Sequence, residues 1–172
     1  EISKEECIDI LINEKRDVLS VIGDDGYPYG IPLNHYYDKN ENCIYFHGAK
    51  EGHKIDAIKN NNKVSYCVFE KGVKRENYWS YDVRSVIVFG KARFIEDIDE
   101  CIKISSALWR KFGTDKNELE EEIKHSASRV LCIKVEIEHM TGKRSMNHNL
   151  QNTIIFMQKL LQVFSSFLLQ GQ

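Results

Sequence analysis

Phe46-His47-Gly48-Ala49-Lys50-Glu51-Gly52-His53-Lys54 is the stretch where residue types and spacing can do chemistry. It runs from an apolar, strand-like segment through a glycine-containing turn into the start of a short helix. A helix start presents free N–H groups and the positive end of the macrodipole, which together bind anions. Gly48, Ala49 and Gly52 are small enough for a ligand to approach the backbone. Lys50, His53 and Lys54 gather where cationic side chains are ordinarily unfavourable, and a bound phosphate would remove that conflict. The residues alone leave a second reading open, in which Lys50 and Lys54 are solvated lysines paired with Glu51 and Asp56.

Other chemistries find less support. His47 and Cys43 lie four positions apart on a strand, about 13 Å, too far to share one zinc ion. His35, His125, His139 and His148 show no metal-binding spacing, so no metal site is expected. No Gly-x-Ser-x-Gly elbow surrounds any serine. Cys7, Cys43, Cys67, Cys101 and Cys132 are odd in number and never form a Cys-x-x-Cys pair, and so read as free thiols in a reducing cytosol. Tyr78-Trp79-Ser80-Tyr81 offers an aromatic wall for a planar ring, or else ordinary core or dimer-interface packing.

The elements that must position the Phe46–Lys54 stretch follow from periodicity. With 172 residues the chain is long enough for one domain, and its formal charge of −2 leaves no basic stripe for nucleic acid. Ser3 and Glu6 form a capping box opening a helix that ends near Lys15. Val18–Ile22 and Tyr27–Tyr37 read as a hairpin turned at Asp25-Gly26. Strands follow at Cys43–His47, Lys63–Phe69 and Arg84–Ile95, the last with a bend or bulge at Gly90, and helices at Gly52–Ile58, Ile98–Phe112 and Leu119–Ser126. Leu131, Ile133, Val135 and Ile137 alternate with Cys132, Lys134, Glu136 and Glu138 as in a half-buried strand. About six short strands joined mainly by turns predict an antiparallel barrel with helical flanks, and the absence of Gly-x-Gly-x-x-Gly disfavours a doubly wound sheet. The first residues lack the pattern of a signal peptide, and Thr153–Leu169 is too polar for a membrane span, so a cytoplasmic protein without membrane association is expected.

Four segments, taken in order, carry a resemblance. They are Gly26–Asn34, Ile44–Ile58, Val64–Val68 and Arg84–Ala92, with a further match at Glu138–Lys143. With them the chain resembles the pyridoxamine 5'-phosphate oxidase-like FMN-binding split-barrel family, and within it most closely the nitroimidazole-resistance (Nim-type) flavoproteins. The resemblance implies a mainly β fold with flanking helices, a six-stranded antiparallel split barrel. It also implies a homodimer with FMN sites at the interface. It places Pro32, Leu33 and Asn34 beside the flavin ring. It assigns the phosphate to the turn of His47, Gly48 and Ala49 with Lys54 as counter-charge, and completes the site with Arg84 and Ser85. In the Nim-type branch the histidine of the Gly-His-Lys turn is associated with the reaction centre. His53 occupies that position, as catalytic residue or as a lining of the phosphate turn.

The resemblance covers residues 1–143 and stops there. Residues 144–172 are expected to form a C-terminal amphipathic helical extension, with Leu150, Ile154, Phe156 and Leu160 on its apolar face. The function implied is an FMN-dependent oxidoreductase that passes electrons to a small planar acceptor such as a nitroimidazole. The alternatives are a flavin carrier or sensor without turnover, true pyridoxamine-phosphate oxidation, whose basic substrate motifs are absent, and a haem-binding split barrel with His35 or His139 as ligand.

Overall fold

A computed structural model of the chain describes residues 1–74, 81–112 and 130–145. The helix expected over 119–126, the aromatic residues 78–80 and the tail beyond 145 lie outside the described residues. The chain divides into two compact units, Glu1–Lys71 with Arg84–Arg144, and Gly72–Val83 with Ser145–Gln172.

The first unit opens with α1 (Lys4–Asn13). Its start is fixed as the sequence requires: the Glu6 N–H donates to Ser3 Oγ (3.1 Å) and the Ser3 N–H to Glu6 Oε2 (3.0 Å). β1 (Arg16–Ile22) and β2 (Pro28–Asn34) form a hairpin in the register Val18↔Pro32. Its turn needs Gly26, whose φ of 77° is unfavourable for a residue with a Cβ. The remaining elements are β3 (Tyr36–Asp38), β4 (Cys43–Ala49), α2 (His53–Asn60), β5 (Lys63–Phe69), β6 (Val73–Lys74), β7 (Tyr81–Ile95), α3 (Ile98–Phe112) and β8 (Val130–Ser145).

The strands are ordered β2-β1-β5-β7-β8-β4-β3 in one antiparallel sheet that curls into a split barrel. Among the described residues there are eight strands where six were expected. The two additions are short: β3 resumes the chain after His35 breaks the expected Tyr27–Tyr37 run, and β6 is two residues long. In the second unit, the described residues are 72–74, 81–83 and 145, and β6 pairs with the start of β7 in the register Val73↔Asp82 and Lys74↔Tyr81.

One face of the sheet, with α1 and α2, encloses the main core. Leu11, Leu19, Phe46, Ile55, Tyr66 and Val88 are among its buried side chains. Along β5 every second residue faces this core, as period-2 alternation demands. β8 departs from the expected half-buried pattern. Cys132 was placed on its polar face, yet is fully buried, because Cys101, Ile104 and Leu108 of α3 cover that face together with Cys43 and Tyr45. At Gly90 the backbone of β8 comes so close that a Cβ would stand 2.2 Å from the Glu136 carbonyl oxygen. Close approach explains this glycine.

Among the described residues two polar side chains are buried, His35 (0% exposed) and Asp17 (4%). His35 Nε2 lies 2.7 Å from the Leu11 carbonyl, which requires a proton on that nitrogen, and Tyr66 Oη donates to Nδ1 (2.9 Å). Burial and the nearby Lys111 ammonium hold this imidazole neutral, with its pKa pushed down to about 3. Elsewhere the sheet presents a largely apolar patch on β2, β1, β5 and β7, where Pro32, Ile22, Phe69, Ile87 and Phe89 are exposed between glycine and serine positions, with Arg16, Lys63 and Lys91 at its margins. Among the described residues no helix is long and apolar enough to cross a membrane.

Candidate functional site

β4 ends at Gly48 and Ala49, paired with Leu131 and Val130 of β8, and α2 starts four residues later. Gly52 joins them at φ 123°, a conformation that disfavours any side chain. No side chain caps α2. The Gly52 carbonyl accepts from the N–H groups of Ile55 (2.8 Å) and Asp56 (3.2 Å), leaving those of His53 and Lys54 without a helical acceptor. This is the open end of a dipole.

Lys54 folds back across the end of β4. Its Nζ stands 2.9 Å from where a Cβ on Gly48 would lie, so the ammonium occupies the space that glycine leaves. The side chain is half-buried, and burial alone pulls its pKa down. None of the ion pairs among the described residues includes it. The pairing of Lys54 with Asp56 left open by the sequence therefore does not occur. A cation withdrawn from water without a counter-charge, beside free N–H groups, favours an anion.

His53 packs against the β1–β2 hairpin. Its Nδ1 is 3.4 Å from Asp24 Oδ2, and its ring meets Tyr29 edge-on at 4.7 Å. The side chain remains about half exposed, so the imidazole is oriented by a carboxylate yet open to a ligand. Asp24 and Tyr29 were not among the expected site residues, because they meet His53 only once the β1–β2 hairpin is folded. His47 is exposed and, by strand alternation, projects to the face of Cys43 and Tyr45, away from Gly48 and Lys54.

The other expected residues assemble elsewhere. Pro32, Leu33 and Asn34 pair with Val18, Asp17 and Arg16, and Asn34 Oδ1 accepts from Arg16 Nε (2.7 Å). Ser85 pairs with Phe69, whose N–H donates to Asp17 (3.1 Å), so it lies at the same end of β1. Arg84 makes a two-pronged pair with Glu70 (Nε–Oε2 2.9 Å, Nη2–Oε1 2.5 Å) and also faces Asp9 (3.4 Å) and Glu6 (3.8 Å). Glu70 foremost, with Asp9, holds its pKa up against the opposing effect of burial. His53 lies just past the opposite end of β1, where a Cβ on Gly23 would stand 3.4 Å from its Nε2. Seven residues of strand, about 20 Å, thus separate the two groups within one chain.

His35 has both ring nitrogens engaged and fully buried, which leaves no open position for a haem iron. His139 is exposed and stacks on Phe89 (6.2 Å, 23°). Among the described residues no group of three or more His, Cys, Asp or Glu side chains is placed to hold a metal.

Comparison with known proteins bears on the fold and the family. A candidate 5-nitroimidazole antibiotic resistance protein from Bacteroides thetaiotaomicron is similar at 25% identity and TM-score 0.69, over 84% of this chain and 85% of that one. A FAD-binding protein from Mesorhizobium loti shares the fold at 22% identity and TM-score 0.62, over 84% and 96% of the two chains. So does a FAD and haem binding protein from Mycobacterium smegmatis, at 18% identity and TM-score 0.64, over 86% and 73%. No curated protein sequence matches the chain. Residues 3–144 match the family described as pyridoxamine 5'-phosphate oxidase. The chain belongs to the pyridoxamine 5'-phosphate oxidase family.

Proposed function

We propose that the chain binds flavin through its FMN moiety and acts as a homodimeric oxidoreductase that reduces a small planar acceptor, a nitroaromatic of the 5-nitroimidazole type. The observation that carries this reading is Lys54, a half-buried ammonium without a carboxylate partner at the open N-terminus of α2. The residues fit a ribityl phosphate: Lys54 supplies the counter-charge, the N–H groups of His53 and Lys54 donate, and Gly48 and Ala49 leave the backbone accessible.

The largely apolar sheet face would supply the second half of the site. Its exposed Ile22, Phe69, Ile87 and Phe89 suit burial against a second copy of the chain. Such a dimer would carry Pro32, Leu33, Asn34 and Ser85 of one copy towards the phosphate turn of the other, which a single chain cannot do. By strand alternation Ser85 faces this surface, while Arg84 faces the carboxylates of α1 and Glu70 and fixes the strand end.

Bound flavin supplies the redox chemistry, accepting electrons from a donor and giving them to the acceptor. The protein's own steps are narrower. Lys54 and the α2 N–H groups bind and orient, the β2 backbone and Pro32 exclude water from one side of the ring, and His53, oriented by Asp24, gives a proton to the reduced acceptor. The 25%-identical Bacteroides relative supports the choice of acceptor. The test is anaerobic turnover of a 5-nitroimidazole and of a quinone by FMN-loaded protein with a chemical donor. Reduction at a rate above that of free FMN supports the reading. Tight flavin binding without any turnover would make the chain a carrier or sensor.

A further inference from the structure

Cys101 and Cys132 form a thiol pair that has no part in the account so far. They come from different elements, the first turn of α3 and β8, 31 positions apart in the chain. The Cys132 thiol donates to the Cys101 carbonyl (3.7 Å), and the two thiols also interact side chain to side chain. The Cys101 thiol donates to the Ile95 carbonyl (3.3 Å), and Ser105 Oγ stands 3.9 Å from Cys132 Sγ. Both cysteines are buried, but not alike. Cys132 is 0% exposed, whereas Cys101 lines a cavity of about 290 Å³ whose border includes the exposed Lys59, Glu96 and Ile98. A small uncharged molecule therefore meets Cys101 first. Cys43 belongs to the same cluster, yet its β8 partner Glu136 is four positions from Cys132, about 13 Å, which is beyond disulfide distance. Cys7 packs in the other cluster.

We propose that Cys101 and Cys132 are an oxidative modification site, which hydrogen peroxide entering the cavity closes into a disulfide. The inference stands apart from the flavin reading. Cys101, as thiolate, attacks one oxygen of the peroxide. The O–O bond breaks, a sulfenic acid forms on Cys101, and the departing hydroxide takes up the thiol proton as water. The Cys132 sulfur then attacks the sulfenic sulfur, the S–S bond forms, and the sulfenic oxygen leaves with the Cys132 proton as a second water. Two thiols and one peroxide thus give one disulfide and two waters, with two electrons passing from sulfur to oxygen. Ser105 Oγ is placed to donate to the Cys132 sulfur as it becomes an anion. Burial foremost, then the neighbouring Cys101, pushes the Cys132 thiol up to about 12, so closure is a slow response to sustained oxidant. The bond ties α3 to β8 where Val130, Leu131 and Cys132 pair with Ala49, Gly48 and His47, and so braces the end of β4.

The test exposes the native full chain to hydrogen peroxide, removes the excess with catalase, and counts thiols after unfolding. The count should fall from five to three, with the intact mass lower by two hydrogens. Trypsin without reductant should then release Phe94–Lys103 joined to Val130–Lys134, the peptides that hold Cys101 and Cys132. Oxidised protein should unfold at a higher temperature than reduced protein, and dithiothreitol should reverse the shift. Two variants, with folding verified by circular dichroism, assign the order of attack. In Cys132→Ala, Cys101 should accumulate as a sulfenic acid labelled by dimedone; in Cys101→Ala, Cys132 should remain a thiol. Wild type that keeps five thiols, a disulfide through Cys43 or Cys67 or between two chains, or oxidation of Cys101 to a sulfinic acid without a bond to Cys132 overturns the inference. The wild-type peptide map decides even if neither variant folds.

Discussion

Asp17 should make this protein less stable as pH rises from 4 to 7, the reverse of the usual effect of a paired carboxylate. Its side chain is 4% exposed; Oδ1 accepts from the Phe69 N–H (3.1 Å), and Oδ2 is buried without a partner. Burial raises the pKa from 3.8 to about 6 against the smaller opposing effects of that hydrogen bond and of Lys111. Between those values the folded chain keeps a proton that the unfolded chain has lost. Stability therefore falls through this window, and by pH 7 the loss approaches about 3 kcal/mol, at 1.36 kcal/mol per unit. That is a large share of the ~5–15 kcal/mol that holds a domain together. His35 acts in the opposite sense. Its folded pKa of about 3 lies below the unfolded value, so its contribution is present above 6.5 and is lost as pH falls. The two are separated by urea unfolding of wild type and Asp17→Asn at matched pH, where the His35 effect cancels. Asn retains the acceptor for Phe69, so the variant should gain on wild type by up to ~3 kcal/mol between pH 4 and pH 7. A difference that does not change with pH would show that Asp17 titrates as an exposed carboxylate does, and would refute the reasoning.

Three further outcomes test the site. Gly52→Ala must hold a side chain at φ 123° and should lower stability by roughly 1–3 kcal/mol, read from the urea midpoint, with α2 intact by circular dichroism. Gly48→Ala puts a methyl 2.9 Å from the present position of Lys54 Nζ and should weaken FMN binding about tenfold through loss of one charged contact, measured by fluorescence titration; unchanged affinity would remove Lys54 from the site. His53→Ala should keep FMN affinity within a few-fold and lose on the order of a hundredfold in acceptor turnover. Full turnover in that variant would confine His53 to lining the phosphate turn.

What the sequence made legible was local. Ser3 and Glu6 announce the start of α1, and both β5 and α3 span the residues their periodicity indicated, since each signal lies within a few positions. The residues proposed for the anion site could be named for the same reason: Gly48, Gly52 and Lys54 lie within seven residues. The buried state of Cys132 was not, because it depends on a helix some thirty residues away settling on the outer face of β8. Nor was the environment of Arg84, whose partners Glu6, Asp9 and Glu70 come from α1 and the end of β5. Asp24 became visible only when the hairpin brought it to His53. The separation of the Pro32–Asn34 group from the phosphate turn is likewise a property of the register of β1 and β2.

The central claim is that Lys54 and the open end of α2 hold a flavin phosphate. Its most direct test is the absorbance spectrum of purified protein mixed with FMN and then desalted, for wild type beside Lys54→Ala. The account predicts flavin bands retained by wild type and lost from the variant, with the fold unchanged by circular dichroism. Equal retention by both proteins, or no retention by wild type, would contradict it.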